Sequence, residues 1–266
     1  MFEKDIKSLT QEELSIELAD MGEPAFRAKQ LYEWMHVKMA ASYDEMSNIP
    51  RALREKCRER FNYVSLKQVR VQESALDGTR KFLFGLPDGN VIESVWMKYR
   101  FGVSVCISSQ VGCRMGCKFC ASTLDGLERD LLPSEMLDQI YSMSRIMGEK
   151  ISRVVVMGSG EPLDNYDNLL RFIKLLTDAN GMNLGQRNLT VSTCGIVPRI
   201  RQLAEEHLQI NLALSLHAST DDKRKQLMPI AMEYSLSEVM DACRYYFAQT
   251  GRQLTFEYAL VGGVND

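Results

Sequence analysis

Three of the chain's seven cysteines lie within eight residues, at Cys113, Cys117 and Cys120. The Cys-x3-Cys-x2-Cys spacing places three thiolates on one tight loop, where they can bind three corners of an iron–sulfur cube and leave one iron open. Zinc is the competing interpretation, but a structural zinc site usually takes four ligands in two paired motifs, and no second pair follows. Cys106 is a possible fourth ligand, although it lies within a predicted strand. The spacing therefore favours a cluster over zinc.

The rest of the composition narrows the class of protein. An odd number of cysteines with uneven spacing indicates catalytic or metal chemistry in a reducing compartment rather than a disulfide scaffold. The net charge of −3 argues against a protein that coats DNA, yet it permits a local basic patch that docks a folded RNA. The first residues lack a signal-peptide profile and no apolar run reaches the length of a membrane helix, so we expect a cytoplasmic protein without membrane contact.

Residues 1–66 are predicted to be helical. The sequence Thr10-Gln11-Glu12-Glu13 fits a capping box, and further helices are predicted to begin near Pro24 and Pro50. The third helix carries five basic and two acidic residues between 51 and 60. It is interpreted either as a basic face that meets RNA phosphate or as an ordinary solvated surface.

Two kinds of β-structure are predicted to follow. The turn sequences Asp77-Gly78 and Pro87-Asp88-Gly89-Asn90 indicate an antiparallel meander over 67–99. From residue 100, apolar strands alternate with helical segments, which predicts a parallel sheet with right-handed crossovers, either open and doubly wound or part of a βα barrel. These strands are predicted at residues 103–109, 153–157, 188–193, 209–214 and 253–260.

Polar residues follow several of the predicted parallel strands. Gly158-Ser159-Gly160-Glu161-Pro162 comes after the second strand, Ser192 closes the third, and Ser215-Leu216-His217 closes the fourth. Taken singly, these are an ordinary turn, a cap and a structural histidine. Because the carboxyl ends of parallel strands meet at one edge of a sheet, we expect them to converge with the cysteine loop on a ligand site. Glu161 can accept hydrogen bonds from an ammonium group there.

The cysteine loop, with an aromatic residue before its last cysteine, resembles the signature of radical S-adenosylmethionine (SAM) enzymes. Further motifs are similar to those of the RNA adenine-C2 methyltransferases of the RlmN type, and together they cover essentially the whole chain. These motifs are Glu23-Pro24-Ala25-Phe26-Arg27-Ala28-Lys29-Gln30, Cys106-Ile107-Ser108-Ser109-Gln110-Val111-Gly112-Cys113, Phe119-Cys120-Ala121-Ser122-Thr123, Gly158-Ser159-Gly160-Glu161-Pro162, Ser215-Leu216-His217 and Gly262-Gly263-Val264-Asn265-Asp266.

The resemblance implies an α/β fold and a set of cofactors. The expected architecture is a partial (βα) barrel of the radical SAM type that lacks its last strand, over residues 100–266. A helical, RNA-contacting domain over 1–66 and the β-meander over 67–99 precede it. The implied cofactors are one [4Fe–4S] cluster bound by the three loop cysteines, and SAM as both methyl donor and radical source.

The resemblance also implies roles for individual residues. Glu93 is the implied proton acceptor at the adenine, and Cys106 is the implied thiol that resolves a protein–RNA intermediate by forming a disulfide. Without the resemblance, Glu93 is an exposed carboxylate and Cys106 is a buried strand cysteine. The implied SAM contacts are Gly160, Glu161, Ser192, Ser215, Leu216 and His217.

The reaction implied by the resemblance uses SAM twice. One SAM methylates a cysteine near the family's C-terminus by nucleophilic displacement. A second SAM, cleaved with one electron from the cluster, yields a 5′-deoxyadenosyl radical that abstracts hydrogen from this methyl group, and the carbon radical adds to C2 of adenine. The implied substrates are 23S rRNA and tRNA. The electron donor is expected to be a flavodoxin or ferredoxin, and the protein is expected to be a monomer.

The sequence departs from the family pattern near its end. None of Cys57, Cys194 and Cys243 lies in a context like that of the family's terminal, methyl-carrying cysteine. We therefore expect the chain to be a fragment that binds the cluster but does not complete methyl transfer. Pro162 stands where a C8-specific relative tends to have alanine, which favours C2 over C8. A non-catalytic, metal-containing RNA-binding module is the alternative from a different class of protein.

Overall fold

The computed structural model of the chain describes residues 4–266, and its main feature is one eight-stranded sheet. The order of the strands across this sheet is β1-β2-β3-β4-β7-β8-β9-β10, and β5 and β6 form a separate hairpin. The strands are β1 (Lys67–Glu73), β2 (Arg80–Gly85), β3 (Val91–Tyr99), β4 (Gly102–Ile107), β5 (Gln110–Gly112), β6 (Leu127–Asp130), β7 (Ile151–Val156), β8 (Leu189–Thr193), β9 (Asn211–Ser215) and β10 (Leu254–Glu257).

Helices precede the sheet and connect its parallel strands. No helix in the described range 4–266 combines the length and apolar character needed to cross a membrane. The α-helices are α1 (Gln11–Asp20), α2 (Phe26–His36), α3 (Arg51–Arg60), α4 (Pro133–Met147), α5 (Tyr166–Thr177), α6 (Val197–Glu205), α7 (Asp221–Leu227) and α8 (Leu236–Thr250).

The amino-terminal helices begin where the sequence predicts. At the start of α1, Thr10 Oγ1 accepts a hydrogen bond from the Glu13 backbone N–H at 3.2 Å, and Glu13 Oε2 accepts one from the Thr10 N–H at 2.8 Å. This reciprocal pair satisfies two donors that a helix start leaves free, and it confirms the predicted capping box. Pro50 directly precedes α3, as its fixed φ favours.

Three of the five basic side chains of α3 form ion pairs with acidic neighbours. Lys56 pairs with Glu23 at 2.5 Å, and the Arg60 guanidinium pairs with the Glu17 carboxylate at 2.6 Å. Arg58 pairs with both Asp44 and Glu55. These three side chains thus have acidic partners within the helical region, and contact of α3 with RNA stays a prediction.

The antiparallel meander and the parallel strands share one hydrogen-bonded sheet. Strand β3 pairs antiparallel with β4, placing Val95 opposite Cys106, and β4 pairs parallel with β7, placing Cys106 opposite Val155. The strands from β7 to β10 are parallel to one another. This arrangement confirms the predicted α/β class with a parallel-dominated sheet, while the predicted domain boundaries stay predictions.

The two faces of the parallel strands differ in character. On β4, the side chains of Val103, Val105 and Ile107 are buried in the core formed with the helices. Side chains alternate across a strand, so Ser104 and Cys106 point to the opposite side, which we call the inner face. The inner face is therefore the side of the sheet opposite the core formed with the helices.

Strand β4 is shorter than the sequence predicts, and the β5–β6 hairpin was not predicted. The sequence predicts a strand over 103–109, but β4 ends at Ile107. The Gln139 side-chain amide explains the difference, because its Oε1 accepts from the Ser108 N–H at 2.8 Å and its Nε2 donates to the Ser108 carbonyl at 3.0 Å. A buried side chain thus replaces the sheet partner, and the chain leaves the sheet to form the hairpin that carries the cysteine loop.

Candidate radical SAM site

The three clustered cysteines lie on the connection between β5 and β6. The Cys113 N–H donates to the Gly126 carbonyl at 2.8 Å, and the Cys120 N–H donates to the Cys117 carbonyl at 3.0 Å. The Thr123 hydroxyl lies within hydrogen-bonding distance of the carbonyls of Cys117 and Cys120, at 3.2 and 2.9 Å. These bonds fold the loop back on itself, so that its thiols are presented together.

Gly112 lies at the base of this loop, where the two ends of the loop come together. Gly112 has φ of +74°, and a Cβ atom built there would lie 2.0 Å from the Gly126 carbonyl oxygen. Both the left-handed backbone and the close approach exclude a side chain. The glycine directly before Cys113 therefore sets how sharply the cysteine loop leaves the hairpin.

The three loop cysteines are buried or half-buried. Cys113 and Cys117 are buried, whereas Cys120 is half-buried. Burial raises the pKa of the Cys113 thiol to about 11 and that of the Cys117 thiol to about 12. Binding to iron removes the proton from a coordinating thiol, so a bound metal group reverses this preference for the neutral form. All seven cysteines of the chain are unpaired, and the disulfide implied for Cys106 is not present.

The cysteine loop and the ends of the parallel strands enclose one cavity of about 170 Å³. Within the described residues, no group of three or more His, Cys, Asp or Glu side chains is arranged to hold a single metal ion. Of the residues predicted from the sequence, the cavity is lined by Cys113, Cys117, Cys120, Gly160, Glu161, Ser192, Ser215 and His217. Further lining residues include Thr193, Cys194, Met228 and Glu257.

Gly160 allows the loop after β7 to pack against the segment after β4. Its φ is +105°, and a Cβ atom there would lie 2.6 Å from Gln110 Cβ and 2.8 Å from Gln110 N. Gln110 Oε1 also accepts from the Glu161 N–H at 2.8 Å. Gly160, an implied SAM contact, thus makes its close approach to the protein's own chain, on the wall of the cavity.

Glu161 is a buried carboxylate held by backbone donors. Its Oε2 accepts from the Cys194 N–H at 2.7 Å, and its Oε1 accepts from the Leu163 N–H at 3.1 Å. Burial is the largest influence on this carboxyl and raises its pKa, while the backbone hydrogen bonds oppose that shift. A carboxylate has about four acceptor positions, so two backbone bonds leave capacity for a cationic ligand.

Two predicted serines share an acidic partner that the sequence analysis missed. The hydroxyls of Ser192 and Ser215 lie 3.3 and 3.4 Å from Glu257 Oε2. Glu257 ends β10, and it stands opposite Ser215 in the parallel register. The signal that would have found it is its position, because the carboxyl end of the fifth parallel strand belongs to the same edge as the other site residues.

Within the segment Ser215-Leu216-His217, the histidine lines the cavity but the leucine does not. His217 adopts a left-handed φ of +54°, its Nδ1 accepts from the Ala259 N–H at 3.0 Å, and its ring meets Phe119 edge to face. The Leu216 N–H donates to the Glu257 carbonyl at 3.0 Å. Leu216 packs beside the core and is not among the described residues that line the cavity.

Glu93 and Cys106 lie on the inner face of the sheet but outside the walls of the cavity. Glu93 is two residues before Val95, which stands opposite Cys106, so all three side chains share that face. The Glu93 carboxylate is exposed and pairs with Lys81 at 2.9 Å. Burial raises the pKa of the Cys106 thiol to about 11. The predicted pair thus shares one face of the sheet, and neither residue lines the cavity.

The donor set fits the cofactors that the sequence suggests. Three thiols on one loop match three ligands of an iron–sulfur cluster, and they border the same space as a buried carboxylate and two hydroxyls. Glu161 suits an ammonium group, and Ser192, Ser215 and Glu257 suit other polar groups of a nucleoside-bearing ligand. The cavity therefore offers donors that suit both an iron–sulfur cluster and a small polar ligand.

Comparison with known families agrees with this geometry. The family described as the radical SAM superfamily matches residues 107–266, and the ribosomal RNA large subunit methyltransferase N-terminal domain matches residues 4–62. A probable dual-specificity RNA methyltransferase RlmN from Lachnospira eligens is 63% identical over 98% of this chain and 75% of its own length. The corresponding protein of Lachnoclostridium phytofermentans is 55% identical over 98% of this chain and 74% of its own length.

A solved structure gives the same result in three dimensions. The crystal structure of a radical SAM methyltransferase from Sphaerobacter thermophilus matches with a TM-score of 0.94 and 42% identity, over 99% of this chain and 78% of that one. Fold, cysteine loop and both matched segments therefore agree with one another. This chain belongs to the radical SAM superfamily and, within it, to the RlmN-type RNA methyltransferases.

Proposed function

We propose that this RNA methyltransferase acts on carbon 2 of adenine in 23S rRNA and tRNA. The observation that carries the proposal is the single cavity at the carboxyl ends of the parallel strands, where the three loop thiols meet Glu161, Ser192 and Ser215. The relatives named above are dual-specificity RNA methyltransferases, which supports more than one RNA substrate. Pro162 favours C2 over C8, as the sequence pattern indicates.

Cys113, Cys117 and Cys120 are proposed to hold one [4Fe–4S] cluster. When bound, this cluster supplies the electron that splits SAM into methionine and a 5′-deoxyadenosyl radical. A protein donor such as a flavodoxin or ferredoxin is proposed to provide that electron. The chain's own contribution is a loop that presents three thiols and leaves the remaining corner free for the ligand.

The walls of the cavity are proposed to orient SAM. Glu161, already fixed by two backbone N–H groups, offers its remaining lone pairs to the SAM ammonium group. Ser192, Ser215 and His217 lie on the same wall and are proposed to contact the rest of the molecule. Gly160 and Leu216 are proposed to act through the backbone, because Gly160 sets the path of the loop and the Leu216 side chain points away from the cavity.

Glu93 and Cys106 are proposed to act on the RNA base. Their side chains share the inner face, which leads toward the cavity, and this supports a target adenine placed between them and the bound SAM. Glu93 is exposed and can receive the proton lost from C2. Cys106 is the proposed thiol for release of the methylated base, and burial favours its neutral form.

Methyl transfer is proposed to need a methyl-carrying cysteine other than the seven of this chain. Cys57 and Cys243 are buried in α3 and α8 and do not line the cavity. Cys194 does line it, but it is buried, and its backbone is bound on both sides. An RNA methylation assay tests this point, because turnover by these 266 residues alone would contradict it. We further propose a monomer that works in the cytoplasm.

The proposal is tested by anaerobic reconstitution with iron and sulfide, followed by SAM-cleavage and RNA-methylation assays. We expect ~4 iron atoms and matching sulfide per chain, and 5′-deoxyadenosine on reduction. Cys113→Ala should abolish cluster loading and the formation of 5′-deoxyadenosine. Cys57→Ala, in the helical region, should leave cluster loading and 5′-deoxyadenosine formation unchanged. Stoichiometric zinc without SAM cleavage would replace the enzyme by a metal-containing RNA-binding module. Mass spectrometry of RNA methylated after addition of a relative's carboxyl-terminal segment distinguishes C2 from C8.

A further inference from the structure

Arg224 is a fully buried guanidinium near the cysteine loop. The residue is 0% exposed, and it sits on α7. Its Nη2 donates to the Cys194 carbonyl at 2.6 Å, its Nε donates to the Leu216 carbonyl at 3.3 Å, and its Nη1 has no hydrogen-bond partner. A buried arginine usually has an acidic partner, because removing the charge from water is costly.

The acidic groups around Arg224 are committed elsewhere. No carboxylate oxygen within residues 4–266 lies within ion-pair distance of its guanidinium. Asp221, one turn earlier on α7, accepts from the Leu236 N–H at 2.7 Å. Glu161 binds the N–H of Cys194 while Arg224 binds the carbonyl of the same residue, so the two side chains hold one residue rather than each other. The positive charge is therefore left without a direct anion.

The helix that carries Arg224 supports the cysteine loop. The Lys118 N–H donates to the Leu227 carbonyl at 2.9 Å, which joins the loop to the last residue of α7. Cys117 packs in one buried group with Cys194, Leu227 and Met228. Cys194, which packs with Cys117, therefore also binds the Arg224 guanidinium through its carbonyl.

We propose that Arg224 is the fixed positive charge of the cofactor centre, balancing the negative charge of the bound cluster. The inference rests on the proposed cluster. Each loop thiolate brings one negative charge, and one-electron reduction adds another, so a buried cation stabilises the reduced form more than the oxidised form. Net charge and hydrogen bonding are among the factors that set the potential of such clusters. Arg224 is a positioning and tuning residue, because it reaches the cavity through Cys194 and does not line it.

Two variants separate the charge from the structure. Arg224→Gln keeps an amide donor for the Cys194 carbonyl and removes the charge, whereas Arg224→Lys keeps the charge. The full chain and both variants are reconstituted with iron and sulfide, reduced with dithionite, and titrated for midpoint potential by electron paramagnetic resonance. In Arg224→Gln we expect a tenfold loss of preference for the reduced cluster, which is a midpoint about 59 mV more negative for one electron. Arg224→Lys should retain most of the original potential.

A surface arginine on the next helix provides the control for the Arg224 variants. Arg244→Gln changes an arginine on the outer surface of α8, and its potential should match that of the unchanged chain. A fully loaded Arg224→Gln variant with an unchanged potential overturns the inference, and so do equal shifts in both Arg224 variants or failure of both to fold. Folding and loading of Arg224→Lys alone supports a requirement for charge. If the unchanged chain binds no iron and sulfide, the proposed function fails instead.

Discussion

Lys7 and Arg224 are both 0% exposed, but their charged groups have different partners. At the junction between the helical region and α4, Lys7 Nζ lies 2.8 Å from Asp138 Oδ1 and donates to the Val64 carbonyl at 2.6 Å. The other Asp138 oxygen accepts from the Leu66 N–H at 2.8 Å. Beside the cavity, Arg224 meets only carbonyls and keeps an unpartnered N–H group.

The difference indicates that the Lys7–Asp138 pair is structural, whereas the region around Arg224 is suited to binding a ligand. The Lys7–Asp138 junction is electrostatically complete within the chain, so it holds the helical region in place without a ligand. The cavity is lined by the buried Glu161 and by buried thiols, and Arg224 lies behind its wall without a carboxylate partner among the described residues. Breaking the junction should therefore cost stability, whereas changes in the cavity should act first on cofactor binding.

The largest expected effect comes from breaking the junction. Lys7→Met removes the nearer cation of the buried Asp138 carboxylate and leaves only Arg145 Nη2, at 3.7 Å, so we expect a loss of about 3–5 kcal/mol in the free energy of unfolding. Urea unfolding measures it. Lys4→Met is the matched control, because Lys4 is more than half exposed and Glu17 keeps Arg60 as a second cation, so the Lys4–Glu17 pair is expected to contribute less than about 1 kcal/mol. Similar losses in both variants would show that the junction is not special.

The next effect concerns the wall of the cavity. Gly160→Ala forces a Cβ atom to within 2.6 Å of Gln110 Cβ at a φ of +105°, and we expect a loss of about 3 kcal/mol together with reduced iron uptake. Gly148→Ala is the control, since Gly148 also has a positive φ of +64° but has open space around it. It should lose about 1 kcal/mol and load iron normally. Equal losses would attribute the effect to backbone strain alone.

A third effect is the pH dependence of the helical region. Burial lowers the pKa of His36 to about 3, so the unfolded chain takes up a proton below about pH 6.5 while the folded chain does not. Stability from this residue is therefore present above pH 6.5 and is lost as the pH falls. Burial raises the pKa of Asp5 to about 6, which acts in the opposite direction between pH 6 and its ordinary value of 3.8.

Comparison with His36→Gln removes the contribution of Asp5, which both chains share. Between pH 7 and pH 5, the unchanged chain should lose about 2 kcal/mol more than the variant. Urea unfolding at both pH values gives the difference directly. Parallel pH profiles would mean that His36 is not buried in its neutral form.

The smallest expected effect is at the Glu257 carboxylate. Glu257→Gln weakens the hydrogen bonds with Ser192 and Ser215, and we expect SAM affinity to fall by about 1 kcal/mol with little change in stability. Equilibrium binding to the reconstituted chain measures this loss. Glu233→Gln, at an exposed position, should leave affinity unchanged. A stability loss in Glu257→Gln without an affinity change would assign Glu257 to the fold.

The sequence predicted those features that depend on local pattern or on the ends of strands. The capping box at Thr10, the antiparallel meander over 67–99 and the meeting of the cysteine loop with Glu161 all follow from such patterns. Contacts between distant side chains could not be predicted. Neither the end of β4, set by Gln139, nor the burial of Arg224 has a signal in the neighbouring sequence.

The most direct test of the cavity's role is the electron paramagnetic resonance spectrum of the reduced, reconstituted chain with and without SAM. A cluster held by three thiols has one iron free for SAM, so we predict a [4Fe–4S] signal that changes shape when SAM is added. Cys117→Ser should lose the signal, and Glu161→Gln should keep it while responding only at higher SAM concentration. A signal that ignores SAM, or one that survives in Cys117→Ser, would contradict the account.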